Sequence, residues 1–125
     1  MAVTHPTTVR NTIADAVVDS IDTGGAGSLI FQTSGDVECA TLTFSATAFG
    51  AAAAGTATAN AITSDTSATG GTVAKFKIQN GSAADAGFAG SVTATSGGGD
   101  IELSSVAVGA GDTVSMSSLT YTAPN

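Results

Sequence analysis

From residue 28 onwards, the sequence is divided into short blocks rich in Val, Ile, Phe and Thr that are separated by glycine-containing turns. Such blocks are typical of strands, and turns at these short intervals are typical of a β-sandwich or barrel. We therefore predict a mainly β chain, an antiparallel β-sandwich or barrel of about seven strands. The predicted strands are Ser28–Thr33, Val37–Ser45, Thr56–Thr63, Thr72–Gln79, Phe88–Thr95, Ile101–Val108 and Thr113–Thr122.

The block at residues 72–79 has the clearest strand pattern. Ala74, Phe76 and Ile78 alternate with Lys75 and Lys77. Neighbouring side chains of a strand point to opposite faces of the sheet, so we expect one buried and one solvated face. An Asn-Gly pair follows directly and favours a tight turn. Similar turns further along predict that the C-terminal third is a meander.

One segment near the N-terminal end has the period of a helix. Val9, Ile13, Val17 and Ile21 recur every four residues, which places them on one side of a helix. We predict an amphipathic helix over about residues 8–22, in which Ala14 and Val18 widen this stripe of four residues. Two interpretations of its apolar stripe remain open. The stripe packs on the sheet of its own domain, or its four residues are contacts to a partner subunit.

The ends and the polar side of this helix are also predicted from sequence. Thr7 or Thr8 is placed to cap its first turn, and a Gly-Gly pair at residues 24–25 is placed to stop it. The aspartates at 15, 19 and 22 are assigned to the solvated side. Asp15→Asn is therefore expected to be nearly silent, whereas Ile13→Asp is expected to cost several kcal/mol.

Chain length predicts a single compact domain, because 125 residues is the size of one ordinary domain. Within it, residues 1–27 form an N-terminal arm and helix, and residues 28–125 form the β domain. Val, Ile, Leu and Phe together supply only about a fifth of the residues, so the core is thin. A thin core favours a protein that gains part of its stability from neighbouring subunits.

Alternating small and hydroxylated residues recur in several blocks, for example Thr-Ala-Thr at residues 56–58 and Thr-Tyr-Thr at residues 120–122. The intervals between these blocks are irregular, which disfavours a repetitive flat surface. We expect these strands to approach either the opposite sheet or another chain closely.

The charge of the chain narrows the choice of partners. Ten Asp and Glu against three Lys and Arg give a formal net charge of −7. Nucleic acids are improbable partners because their binding depends on neutralising phosphates. An anionic membrane surface would repel the protein, and no apolar run is long enough to span a bilayer.

Residues for catalysis and metal binding are sparse. His5 is the sole histidine and Cys39 the sole cysteine, which leaves too few ligands for zinc and no partner for an internal disulfide. No phosphate-binding loop motif is present. We therefore expect no enzymatic activity, no cofactor and no transition metal. A calcium site is left open, and its candidate ligands are Asp36, Asp65, Asp100 and Asp112.

Three segments that together cover about half of the chain resemble small structural proteins of tailed-bacteriophage virions, especially capsid decoration (cement) proteins. They are the helix Thr-Val-Arg-Asn-Thr-Ile-Ala-Asp-Ala-Val at residues 8–17, the middle rich in Ala, Gly and Thr, and the ending at residues 110–121. The resemblance implies a homo-oligomer, with a trimer favoured, that binds the major capsid protein or other virion subunits. Its location would be the outer capsid surface, after synthesis in the host cytoplasm.

Two alternatives remain beside this interpretation. The chain is a tail or head-fibre module that binds a host-surface glycan, or it is a tail-tube or connector subunit. The net charge of −7 favours an outer position over one that faces packaged DNA, because phosphates would repel the chain.

Overall fold

The computed structural model of the protein describes residues 3–124, which form one α-helix followed by ten β-strands. Helix α1 spans Thr7–Asp19 and continues into a 3₁₀ turn at Ser20–Asp22. The prediction of a mainly β chain with one N-terminal helix is confirmed. The strands are β1 (Ser28–Gln32), β2 (Glu38–Phe44), β3 (Thr56–Thr58), β4 (Ile62–Thr63), β5 (Gly71–Thr72), β6 (Lys75–Gln79), β7 (Asp85–Ala94), β8 (Ile101–Leu103), β9 (Ala107–Val108) and β10 (Thr120–Thr122).

The prediction of about seven strands is wrong because three of the predicted blocks each contain two strands. These blocks are Thr56–Thr63, Thr72–Gln79 and Ile101–Val108. The two strands of a block pair with different neighbours; β3 pairs with β10, for example, whereas β4 pairs with β2. The composition of a block shows that it suits a strand, but the position at which it bends depends on its distant partners.

The main sheet is mixed rather than antiparallel, which corrects the predicted antiparallel sandwich or barrel. Its six strands lie in the order β4-β2-β1-β6-β7-β8 and curl into a half-barrel. The pair β7 and β8 is parallel, with Val92 opposite Ile101. The connection at residues 95–100 runs back beside β7 before β8 begins, so the chain reverses twice where the glycine-rich turn predicted one reversal.

The predicted C-terminal meander is also wrong. Strands β9 and β10 leave the main sheet and form two small sheets, one with β5 and one with β3. In the second, the two threonine-rich blocks pair with each other, and the hydroxyl oxygens of Thr56 and Thr122 lie 2.9 Å apart. Here the close approach predicted for these residues is made within the chain.

The ends of α1 differ in part from the prediction. Pro6 is the N-cap residue and no side chain caps the helix, so the predicted cap by Thr7 or Thr8 is wrong. The carbonyl of Pro6 instead accepts the first helical hydrogen bond from the N–H of Arg10 at 3.0 Å. At the other end, Gly24 has a φ of +79°, which glycine adopts without strain.

The core lies inside the curve of the main sheet. Phe76 and Ile78 of β6 are buried and alternate with half-buried lysines, as the sequence pattern predicted. Four phenylalanine rings and one tyrosine ring form a continuous aromatic cluster with centroid separations of 5.0 to 6.1 Å. Its members are Phe44, Phe49, Phe76, Phe88 and Tyr121.

Candidate functional site

The buried side of the N-terminal helix is formed by Ala14, Val18 and Ile21, whose exposed fractions do not exceed 1%. Ala14 and Val18 were predicted to widen the stripe, and they are buried, but the buried side is rotated away from the predicted centre of the stripe. Residues four positions apart are turned by about 40° relative to each other, because an α-helix has about 3.6 residues per turn. A series of every fourth residue therefore winds around the helix, and only its last member, Ile21, is fully buried.

The rest of the predicted series lies on the outward side of α1. Val9 is 41% exposed, and Ile13 and Val17 are half-buried. Ala16 is exposed between them. We call Val9, Ile13, Ala16 and Val17 the outer helix stripe. Its role as a partner contact stays a prediction.

Three polar side chains on another side of the helix attach it to the alanine-rich segment at residues 48–55. Each accepts a hydrogen bond from a backbone N–H of that segment. Asp15 and Asp22 were assigned to the solvated side, so that assignment is wrong for both. The bonds join Gly55 to Asn11 at 2.7 Å, Ala52 to Asp15 at 2.8 Å and Ala48 to Asp22 at 2.9 Å.

Two further contacts attach the helix to the β domain. The Nη2 atom of Arg10 donates a hydrogen bond to the carbonyl of Ala123 at 3.4 Å, and the Oγ atom of Ser20 accepts one from the N–H of Gly87 at 2.9 Å. The Arg10 guanidinium lies directly over Gly55, where an added Cβ would stand 2.7 Å from the Cζ atom. The helix therefore packs on its own chain. Within residues 3–124, the outer helix stripe is exposed at Val9 and Ala16 and partly covered at Ile13 and Val17.

Among residues 3–124, two titratable groups have shifted pKa values, and both lie near the start of β2. Burial raises the pKa of the Cys39 thiol, and the neighbouring Glu38 carboxylate raises it further. A hydrogen bond from Lys75, together with its charge, lowers the pKa of Asp36. The first shift disfavours a reactive thiolate and the second follows from an exposed ion pair, so neither creates a nucleophile or a base.

The four candidate calcium ligands lie apart, each bound within its own part of the fold. Asp65 accepts the N–H of Thr41 at 2.9 Å, and Asp112 accepts the N–H of Gly109 at 2.8 Å. Asp100 is bonded to the backbone of β7, and Asp36 to Lys75. Within residues 3–124, no three His, Cys, Asp or Glu side chains are grouped closely enough to hold a metal ion.

Two adjoining grooves, which no sequence pattern predicted, lie beside β8. One has a volume of about 340 Å³ and separates β8 from residues 115–119. The other has a volume of about 270 Å³ and is lined by Phe76, Phe88 and Tyr121. Both include Asp100 and Ile101. Their residues come from separate blocks of the sequence, so no local motif could have indicated the grooves.

Among residues 3–124, no helix has the length and the apolar character needed to cross a membrane. No family model matches the chain, and neither the curated proteins nor the solved structures include a significant match to it.

Proposed function

We propose that the protein is a non-enzymatic structural protein of a phage virion, a capsid decoration protein that binds the outer shell and stabilises it. The observation that carries the proposal is the outer helix stripe. Val9 and Ala16 are exposed on a helix that is attached to its own chain through Asp15 and Arg10. Val3 precedes the helix and is 73% exposed. Apolar surface of this kind is available for burial against a partner.

The charge distribution supports a partner surface that is neutral or basic. All three basic side chains of the chain are engaged internally, since Arg10 bonds the carbonyl of Ala123, and Lys75 and Lys77 pair with aspartates. The acidic side chains are therefore in excess at the surface. In this proposal the partner is the major capsid protein or another virion subunit, and the acidic surface favours the outside of the shell over its DNA-facing side.

A homotrimer suits this function because several weak contacts then act together. One outer helix stripe offers a small apolar area, and a single copy would dissociate readily. Three linked copies that engage three sites gain from their high effective concentration and dissociate slowly.

A second candidate function is a tail or head-fibre module that binds a host-surface glycan. The groove beside Phe88 and Tyr121 favours it. The two rings are stacked with centroids 5.0 Å apart, and the groove also includes Asp100 and Thr120. Aromatic faces and carboxylates are the groups that hold the apolar and hydroxyl sides of a sugar.

Reconstitution with shells that lack the protein tests the first candidate. We expect wild-type protein to co-sediment with the shells and to raise the temperature at which they break. Val9→Asp and Val17→Asp should weaken this binding, because each places a charge on the outer helix stripe. Val37→Asp is the matched control, since Val37 is 59% exposed and lies away from the helix in the turn before β2. Equal binding by all three variants, or shells equally robust without the protein, would contradict the proposal.

A further inference from the structure

Strand β8 leaves one edge of the main sheet open. It is the last strand in the sheet order and pairs only with β7 among the described strands. The carbonyl of Leu103 accepts a hydrogen bond from the N–H of Thr95 at 2.9 Å, so Leu103 faces β7. Alternate residues of a parallel strand bond the same neighbour. The N–H and C=O of Glu102 therefore point away from β7, towards the 340 Å³ groove.

The opposite wall of this groove is a second unpaired stretch of backbone. Residues 115–118 have no regular secondary structure and form no backbone-to-backbone hydrogen bond with any described residue. The chain on either side is bonded, since Val114 pairs with Asp65 and the carbonyl of Leu119 accepts the N–H of Ala59. The groove thus separates two backbone segments that each have free donors and acceptors.

We infer that this groove receives an extended strand from another protein, which pairs with Glu102 of β8 on one side and with residues 115–118 on the other. Strand addition to an open sheet edge obtains its affinity from backbone hydrogen bonds and its specificity from alternate side chains. The three residues of β8 span roughly 10 Å at about 3.3 Å per residue, which suits a short segment of three or four residues.

The charged side chains that line the groove indicate which side chains the incoming strand should carry. Asp100 and Glu102 line the groove, and no Lys or Arg is among its residues. The Asp100 carboxylate accepts hydrogen bonds from Ser91, and the Glu102 carboxylate accepts them from Ser96 and Gly98, but these neutral donors leave the negative charges uncompensated. A strand that carries Lys or Arg beside small apolar residues complements this lining. A second copy of this chain is a poor occupant, because both of its lysines lie in β6, which is paired with a strand on each side, and Arg10 lies in α1. The inference does not rest on the proposed virion function, since it concerns a different surface from the outer helix stripe.

Titration with a synthetic peptide tests the inference. The probe is acetyl-Thr-Lys-Val-Lys-Val-Thr-amide, followed by the amide signals of isotope-labelled full-length protein in NMR spectra. We expect saturable shifts and slowed hydrogen exchange at Glu102 and residues 115–118. Two matched peptides separate the contribution of charge complementarity to binding from that of backbone hydrogen bonds. One has Glu in place of Lys, and the other has methyl groups on alternate backbone nitrogens. Each should bind at least about tenfold more weakly, because one loses charge complementarity and the other loses backbone hydrogen bonds.

Two variants of the protein test whether the probe binds in this groove and whether its binding is independent of the outer helix stripe. Ser117→Pro removes a backbone N–H from the unpaired wall and should weaken binding of the probe, whereas Val9→Asp on the outer helix stripe should leave it unchanged. Absence of saturable shifts at Glu102 would overturn the inference. Equal binding by the backbone-methylated peptide would overturn it too, because the contact would then not be strand pairing.

Discussion

The Oδ1 atom of Asp15 accepts a hydrogen bond from the backbone N–H of Ala52 at 2.8 Å, which joins the helix to a segment 37 residues away. Asn11 and Asp22 make equivalent bonds to the same segment. Residues 48–55 contain five alanines and one phenylalanine, and so have few large side chains with which to hold themselves in place. Phe49 and Ala48 pack in the core, and the three hydrogen bonds to the helix position the rest of the segment.

Removing the carboxylate of Asp15 should destabilise the protein. Asp15→Ala leaves the half-buried N–H of Ala52 without its acceptor, and we expect a loss of about 1–2 kcal/mol in the free energy of unfolding. Asp15→Asn keeps an acceptor oxygen and should cost less. Asp19→Ala is the control, because Asp19 is exposed on the same helix. Chemical denaturation measures all three, and equal stability of Asp15→Ala and Asp19→Ala would show that the bond contributes nothing.

Gly55 should tolerate substitution poorly. Its φ of +79° is strained for other residues, and an added Cβ would meet the Arg10 guanidinium. Gly55→Ala should cost more than about 1 kcal/mol. Gly98→Ala is a matched control, because Gly98 has a φ of +81° and open space where its Cβ would stand. The difference between the two melting temperatures isolates the contact with Arg10, and two equal losses would mean that backbone strain alone matters.

The same substitution should change the free energy of unfolding by different amounts on the two sides of the helix. Val18 is 1% exposed, so Val18→Ala should lower the free energy of unfolding by roughly 1–3 kcal/mol. Val9→Ala on the outward side should change it little. Ile13 is only half-buried, so Ile13→Asp should cost less than Val18→Asp. Thermal unfolding followed by circular dichroism provides the comparison, and an unchanged Val18→Ala would contradict the assigned orientation of the helix.

The thiol of Cys39 should react slowly in the native protein. It is fully buried, and its raised pKa leaves little thiolate at pH 8. We expect modification by a disulfide reagent to be at least about tenfold slower than in denaturant, where the thiol is exposed and its pKa returns to the ordinary value. Because the rate follows the thiolate fraction, the native reaction should go on accelerating at pH values above the ordinary thiol pKa, where the reaction in denaturant has levelled off. Equal rates in the native and denatured protein would refute this burial.

Local sequence patterns were sufficient to predict the helix and the strand whose conformations depend mainly on neighbouring residues. The helix was predicted within about one residue of its start because apolar residues recur at helical spacing, and β6 was predicted because Phe76 and Ile78 alternate with lysines. The buried side of the helix was predicted only in part. Ala14, Val18 and Ile21 belong to the predicted stripe and are buried, whereas Val9 is exposed. Valine and isoleucine occur on both sides, so only the shape of the sheet beneath determines whether Val18 or Val9 faces inwards.

The sequence by itself determined a mainly β chain with one N-terminal helix, an acidic surface and a sparse set of reactive side chains, because composition and short-range periodicity specify these properties. The tertiary structure alone decided the strand pairing, the parallel β7–β8 pair and the groove between Glu102 and residues 115–118. It also decided that Asp15 accepts a hydrogen bond from Ala52 rather than facing solvent. Each of these features joins residues that are separated in the chain, and their contacts depend on how all the strands pack together.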